Sequence, residues 1–279
     1  MNTKSMSLTN GQKIEYQESM GSGISLIMIH GLGSNYLAFK KLAAKLLGSF
    51  HMIMIDLPKY LNSDNDKKIV LGDYVDMIYE LCIRLRTKTA TLVGHSMGGQ
   101  ISVMAAYKYP AVFQKIVLLA PAGFEIFTNV DRRWFATHMT KLNLKAQSDI
   151  TIKRNFDINF YGGRLPEDAQ FMYHDRLKIK SNDLAYDRYT TYLVGCVQAM
   201  LNEPIIDILS KITQPTLVLF GETDMLIPNR ILHPKKTTSD IAAIANLIPD
   251  VQIETVAKAG HFVLWDAAGE VAKFIKSFY

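Results

Sequence analysis

A doubly wound, mostly parallel α/β sheet with a helical insertion after its sixth strand is the fold class that this sequence predicts. Short continuous apolar runs, such as Ser25-Leu26-Ile27-Met28-Ile29 and Lys115-Ile116-Val117-Leu118-Leu119, read as strands buried on both faces. Segments with helical spacing of apolar residues alternate with them, the pattern of β-α-β units. The alternation stops near residue 122 and resumes near 206. Residues 1–121 and 206–279 therefore read as two parts of one core, and 122–205 as a helical cap between them. At 279 residues the chain is long enough for one large domain carrying such an insertion.

The chain opens on a hairpin over residues 4–18, in which Asn10-Gly11 is the favoured two-residue turn and Ile14 and Tyr16 alternate with polar neighbours. The strand at 25–29 runs into His30-Gly31-Leu32-Gly33-Ser34, and helical spacing follows over 36–47. Met52-Ile53-Met54-Ile55 is the next buried strand, closed by Asp56-Leu57-Pro58; a polar loop, Asn62-Ser63-Asp64-Asn65-Asp66, leads to a helix over 72–86. A strand at 89–93 meets the turn Gly94-His95-Ser96-Met97-Gly98-Gly99, and a helix then runs to Tyr109-Pro110 before the strand at 115–119. Inside the insertion four stretches look helical: 130–144, 149–160, 166–178 and 184–201. The core resumes with a strand at 215–220 before Gly221-Glu222-Thr223-Asp224, a helix over 237–248 and an edge-like strand at 251–256. Ala259-Gly260-His261-Phe262 then leads to a C-terminal helix through Val271, Phe274 and Ile275.

Bulk composition narrows the function classes. Hydrophobic residues at 48% and charged residues at 20% are ordinary for a globular protein. The formal charge of +5 comes without a compact basic cluster interleaved with aromatics, so nucleic acid is not an expected partner. Cys82 and Cys196 lie far apart and lack metal-like spacing, which favours a reducing compartment. The polar start Met1-Asn2-Thr3-Lys4-Ser5 has no apolar core of a secretory signal, and no run approaches the length of a membrane span. The expectation is a cytoplasmic protein without stable membrane insertion.

Function concentrates in the turn around Ser96. A nucleophilic serine needs a sharp strand-to-helix turn that holds its hydroxyl clear of the backbone, where a carbonyl and a histidine can both reach it. Glycine at 94 and 98 removes side chains that would clash in such a turn. The pattern G-x-S-x-G alone arises by chance in roughly one chain in twenty of this length, so its context decides. Here it stands between a strand and a helix. In a right-handed doubly wound sheet the strand C-terminal ends collect along one edge, where ligands bind. His30-Gly31, Asp56, Ser96, Asp224 and His261 all follow strands. Acyl transfer by Ser96 needs a base, His261, and a carboxylate to orient it, Asp224. It also needs N–H donors for the oxyanion: the backbone of Met97 at the helix start, and that of Leu32 in the turn after His30-Gly31.

With these residues in order, the chain resembles the α/β-hydrolase fold superfamily, in its capped serine hydrolase branch. The resemblance rests on His30-Gly31, Asp56-Leu57-Pro58 with Ser63, the Gly94–Gly99 turn, Gly221-x-x-Asp224 with Pro228, and Gly260-His261-Phe262. Two departures stand out: Lys59-Tyr60-Leu61-Asn62 replaces a small-residue loop, and the connection from Asp224 to His261 is long. The resemblance implies a small to medium acyl substrate enclosed between cap and core. A carboxylic ester leads, with C–C bond hydrolysis, thioester cleavage or a low-turnover ligand-binding role as alternatives on the same fold.

Other residues carry plainer expectations. Glu125 is the fallback acid should the carboxylate follow an earlier strand; Asp56 reads as a loop-structuring acceptor, and His30 and His95 as supports of their turns. His138 and His174 read as ordinary polar residues of the insertion, and His51 and His233 belong to no motif. No HExxH, paired carboxylates or Gly-rich phosphate loop is present, so no metal or cofactor is expected. Among Phe124, Phe127, Trp134, Phe135, Met139, Phe171, Tyr192 and Met200, one or two are expected to face the site and the rest to form the cap's own core.

Overall fold

The computed structural model describes residues 3–19, 21, 23–58 and 68–279. Its core alternates strands and helices: β1 (Thr3–Ser7), β2 (Lys13–Glu18), β3 (Ser25–Ile29), α1 (Lys40–Leu46), β4 (His51–Asp56), α2 (Leu71–Arg84), β5 (Ala90–His95), α3 (Met97–Lys108) and β6 (Phe113–Leu119). Five helices follow: α4 (Asn129–His138), α5 (Lys141–Lys145), α6 (Asp149–Asp157), α7 (Gln170–Lys180) and α8 (Asp183–Asn202). The short α9 (Ile206–Leu209) then leads to β7 (Thr216–Gly221), α10 (Thr238–Ala242), β8 (Val251–Val256), α11 (Val263–Asp266) and α12 (Ala268–Ser277).

The eight strands form one sheet in the order β1-β2-β4-β3-β5-β6-β7-β8. β1 and β2 are antiparallel to their neighbours and the remaining pairs are parallel. Both faces are covered, which is why the central strands are continuously apolar. Ile27, Ile29, Leu92, Ile116 and Leu118 pack on one side with Tyr74 and Ile78 of α2 and Ile101 of α3. Their neighbours Leu26, Met28, Val93, Val117 and Leu119 pack on the other with Leu42 of α1, Trp265 of α11 and Val271 of α12.

Three local expectations differ from the structure. The hairpin turns through three residues, Thr9-Asn10-Gly11, rather than two, since Leu8 N–H donates to Gln12 O (2.8 Å) and Gly11 N–H to Leu8 O (3.0 Å). Gly11 still takes the positive φ of 80° that favours glycine there. The helix expected over 130–144 breaks at Met139, because the Thr140 side chain accepts from Asn143 N–H and starts α5. The helix expected over 237–248 is the short α10, opened by a Thr237–Asp240 capping box, followed by a 3-10 turn over Ala243–Leu247. The loop at 59–62, Ser63 and the polar residues to 66 lie outside the described residues.

The helices α4–α8 lie between β6 and β7 in the chain, and pack chiefly on one another, α5 and α7 against α8 and α6 against α7. Their two ends meet. A Cβ added at Gly123 would lie 2.8 Å from Ile205 Cγ1, and β6 and β7 are adjacent strands. The end of α8 is fastened to the core by Gln100 of α3, whose Nε2 donates to Met200 O (3.0 Å) and Glu203 O (2.8 Å). Glu203 in turn accepts from Leu71 N–H (2.8 Å) and Gly72 N–H (3.1 Å), and caps α2, where Val70 has no side-chain acceptor to offer.

Candidate active site

β5 ends at His95 and α3 begins at Met97, so Ser96 alone reverses the chain, at φ 53° and ψ −120°. Such a backbone costs a non-glycine residue about 1–3 kcal/mol. Surrounding bonds hold it there: Ser96 N–H donates to Leu119 O (3.0 Å), and Ser96 O accepts from Gly99 N–H (2.8 Å) and Ala122 N–H (3.0 Å). The turn also requires close backbone approach. A Cβ at Gly98 would fall 2.1 Å from Ile29 O, and one at Gly94 would fall 2.3 Å from Gly98 O.

Asp224 follows β7 and is fully buried, and His261 follows β8. Asp224 Oδ2 stands 2.8 Å from His261 Nδ1, while Oδ1 accepts from Leu226 N–H (2.8 Å) and Ile227 N–H (3.0 Å). With a carboxylate at Nδ1, that nitrogen carries the hydrogen and Nε2 is left as the basic one. Ser96 and His261 line the same cavity of about 460 Å³. Ser96 Oγ has no hydrogen-bond partner among the described residues; a nucleophile–base bond often tightens only with substrate in place. Leu32 borders this cavity and Met97 occupies the first position of α3; neither backbone N–H donates to an acceptor among the described residues.

The two turn histidines support this edge. His30 Nδ1 donates to Gly31 O (2.8 Å), and Leu57 N–H donates to its Nε2 (3.0 Å). His95 Nε2 donates to His261 O (3.0 Å), with the two rings 5.0 Å apart. Burial, and then the neighbouring His261, hold His95 well below the ordinary imidazole range, so it stays neutral. Asp56 Oδ1 finds no hydrogen-bond partner among the described residues and lies 3.2 Å from His30 Nε2.

Glu125 sits in the cavity wall but serves a different histidine. It accepts from Asn229 N–H at 2.9 and 3.1 Å, and its Oε1 is 2.5 Å from His233 Nδ1. His51 bonds Glu18 and Ser25 far from the cavity, and His138 bonds Trp134 O within α4. Both cysteines are free, and burial pushes each thiol up to about 12, which leaves them inert as nucleophiles. No group of three or more metal-ligating side chains occurs among the described residues.

Of the eight apolar candidates in the insertion, Phe127, Phe135, Met139 and Met200 border the cavity, where one or two were expected. Ile152, Phe156, Met172 and Ile179 border it too. They were not singled out because amphipathic spacing marks a helix face without saying whether it meets protein or a void. Also unforeseen is the hold on Gly33. Its φ is 65°, and its carbonyl accepts from Arg176 Nη2 (3.0 Å) of α7 and Tyr189 OH (3.3 Å) of α8. A Cβ there would meet Tyr189 OH at 2.6 Å and Leu193 Cδ2 at 3.0 Å. Side chains of the inserted helices thus close on the loop that carries Leu32.

Comparison with known proteins gives a consistent picture. The α/β hydrolase fold family profile matches residues 24–268. Over its whole length the chain is 29% identical to Lipase 3 of Moraxella sp. (strain TA144), covering 84% of that protein. Among solved structures, a probable hydrolytic enzyme from Pseudomonas aeruginosa PAO1 superposes with a TM-score of 0.85 at 16% identity, covering 99% of this chain and 94% of the other. A meta-cleavage product hydrolase from Pseudomonas fluorescens IP01 superposes with a TM-score of 0.75 at 19% identity, covering 99% and 96%. No helix among the described residues is long and apolar enough to cross a membrane.

Proposed function

Because the chain belongs to the α/β hydrolase fold family, we propose that it is a serine hydrolase cleaving a carboxylic ester or related acyl compound through an acyl-enzyme on Ser96. The observation that carries this reading is the single constellation at the sheet edge. Ser96 stands on a strained turn, and the Asp224–His261 pair, 2.8 Å apart, opens on the same cavity. His261 Nε2 takes the Ser96 proton as Oγ attacks the acyl carbon, and returns it to the leaving alcohol. Asp224 stabilises the imidazolium, and the N–H groups of Leu32 and Met97 receive the developing oxyanion. Water, activated by His261, then releases the acid and regenerates Ser96.

In this reading residues 122–205 form the cap, with 1–121 and 206–279 as the core, and the cavity beneath α4–α8 receives a small-molecule acyl group. Two buried, free cysteines fit a cytoplasmic setting. The names of relatives, a lipase among them, support ester chemistry. The likeness to a meta-cleavage product hydrolase keeps C–C bond hydrolysis as the second reading on the same three residues.

The test is a panel of activated esters of increasing acyl length, with Ser96→Ala as control. Multiple turnover by the wild type that vanishes in Ser96→Ala is the expected result. Equal, slow hydrolysis by both proteins would overturn the assignment and leave a binding protein of the same fold.

A further inference from the structure

Arg176 is a part-buried cation in the wall of the cavity, and it has no carboxylate within ion-pair distance among the described residues. What holds it is neutral. Its guanidinium lies 4.2 Å from the Tyr189 ring centroid and 5.4 Å from that of Phe156, and Nη2 donates to Gly33 O at 3.0 Å. Two aromatic faces and a backbone carbonyl fix the position of a guanidinium without neutralising it. One of its five N–H donors is engaged by Gly33, and the rest of the planar fork remains for a ligand. Glu125, the buried carboxylate of the same wall, is already bonded to His233 and Asn229, and Asp175 is exposed.

The place of this charge matters as much as its freedom. Gly33 directly follows Leu32, whose N–H is assigned to the oxyanion. Through its 3.0 Å hydrogen bond to Gly33 O the guanidinium is tied to the residue next to the assigned oxyanion donor, in the wall of the cavity that Ser96 and His261 line.

We propose that Arg176 is an anion subsite for the acyl group, and that the substrate is a monoester of a dicarboxylic acid whose free carboxylate pairs with this guanidinium. The inference rests on the serine hydrolase reading and deepens it. The distal carboxylate docks bidentately on Arg176, which sets the ester carbonyl against Leu32 and Met97. Ser96 Oγ forms the acyl bond as the ester C–O bond breaks, and the alcohol leaves with the proton carried by His261. Water then yields the dicarboxylate, releases one proton to solvent and frees Ser96.

The experiment compares monomethyl glutarate with methyl pentanoate, equal in acyl length, by following methanol release. The wild type is expected to favour the acid-ended ester about 10- to 100-fold in kcat/KM, the span of a charge-assisted pair. Arg176→Met is expected to collapse that ratio to near one, and Arg176→Lys to restore part of it. The ratio is the readout, since loosening Gly33 slows both esters together. A wild-type ratio at or below one, a ratio unchanged in Arg176→Met, or a collapse in Arg132→Met instead overturns the subsite. If neither ester turns over, calorimetric titration of Ser96→Ala with glutarate separates the two failures. Binding that Arg176→Met weakens at least tenfold keeps the subsite, no binding overturns it, and in either case the activated-ester panel with Ser96→Ala decides the hydrolase reading.

Discussion

Asp224→Asn is the exchange whose outcome follows most directly from the geometry. Oδ1 of Asp224 accepts two backbone N–H donors, from Leu226 and Ile227, whereas Oδ2 faces His261 Nδ1. An asparagine keeps its carbonyl oxygen toward the two donors, because an NH₂ placed there would set donor against donors. Its NH₂ is therefore directed at Nδ1, which must give up its hydrogen and act as acceptor. The proton moves to Nε2, and the lone pair that should take the Ser96 proton is gone. The same exchange in a serine protease of unrelated fold lowers kcat about 10⁴-fold, and at about 1.36 kcal/mol per decade this is roughly 5.5 kcal/mol of barrier. The side chain is isosteric and both backbone donors stay satisfied, so the fold is expected to survive. Initial rates on an activated ester give the loss, and thermal unfolding of the same sample checks the fold. A variant that melts like the wild type yet keeps more than a tenth of its kcat would refute the assignment of Asp224 as the orienting acid.

Two further outcomes concern stability. Gly98→Ala would place a methyl 2.1 Å from Ile29 O, backbone against backbone, so α3 must part from β3; a loss above about 3 kcal/mol in denaturant unfolding is expected, at the high end for single exchanges. His95, held neutral in the fold below its ordinary value of 6.5, binds a proton more readily when unfolded, so its contribution is intact above about pH 6.5 and is lost as pH falls below it. His95→Gln keeps an amide donor toward His261 O without a titrating group, and its unfolding free energy should fall less steeply than the wild type's between about pH 6.5 and 5.

Much of the sheet edge is legible in the sequence because its signals are local. Runs such as Leu92-Val93 and Leu217-Val218-Leu219 are apolar without alternation since both faces are covered, and Gly94, Gly98, Gly221 and Gly260 mark where backbones touch. The positions of Ser96, Asp224 and His261 just after strand ends followed from that punctuation alone. Arg176, Gln100 and Glu203 could not be found in this way. Each acts on a partner distant in the chain, Gly33, Met200 and Leu71 respectively, and a polar residue on an amphipathic helix looks the same whether it meets water, a carbonyl or a cavity. The break at Met139 was missed for a related reason. Its cause is the Thr140 side chain choosing Asn143 N–H, a local competition that apolar spacing does not register.

The meeting of Gly123 with Ile205 bears on how such a chain can diverge. A segment whose two ends already touch can lengthen, shorten or be replaced without shifting the register between β6 and β7. The thermodynamic cost is small, since each doubling of a closed loop adds only about 0.6 kcal/mol of chain entropy. Ser96, Asp224 and His261, by contrast, follow strands that the eight-stranded sheet holds in place. Selection can therefore remodel what enters the cavity almost independently of what happens there, with Gly33 and Gln100 among the points where the inserted helices still touch the core.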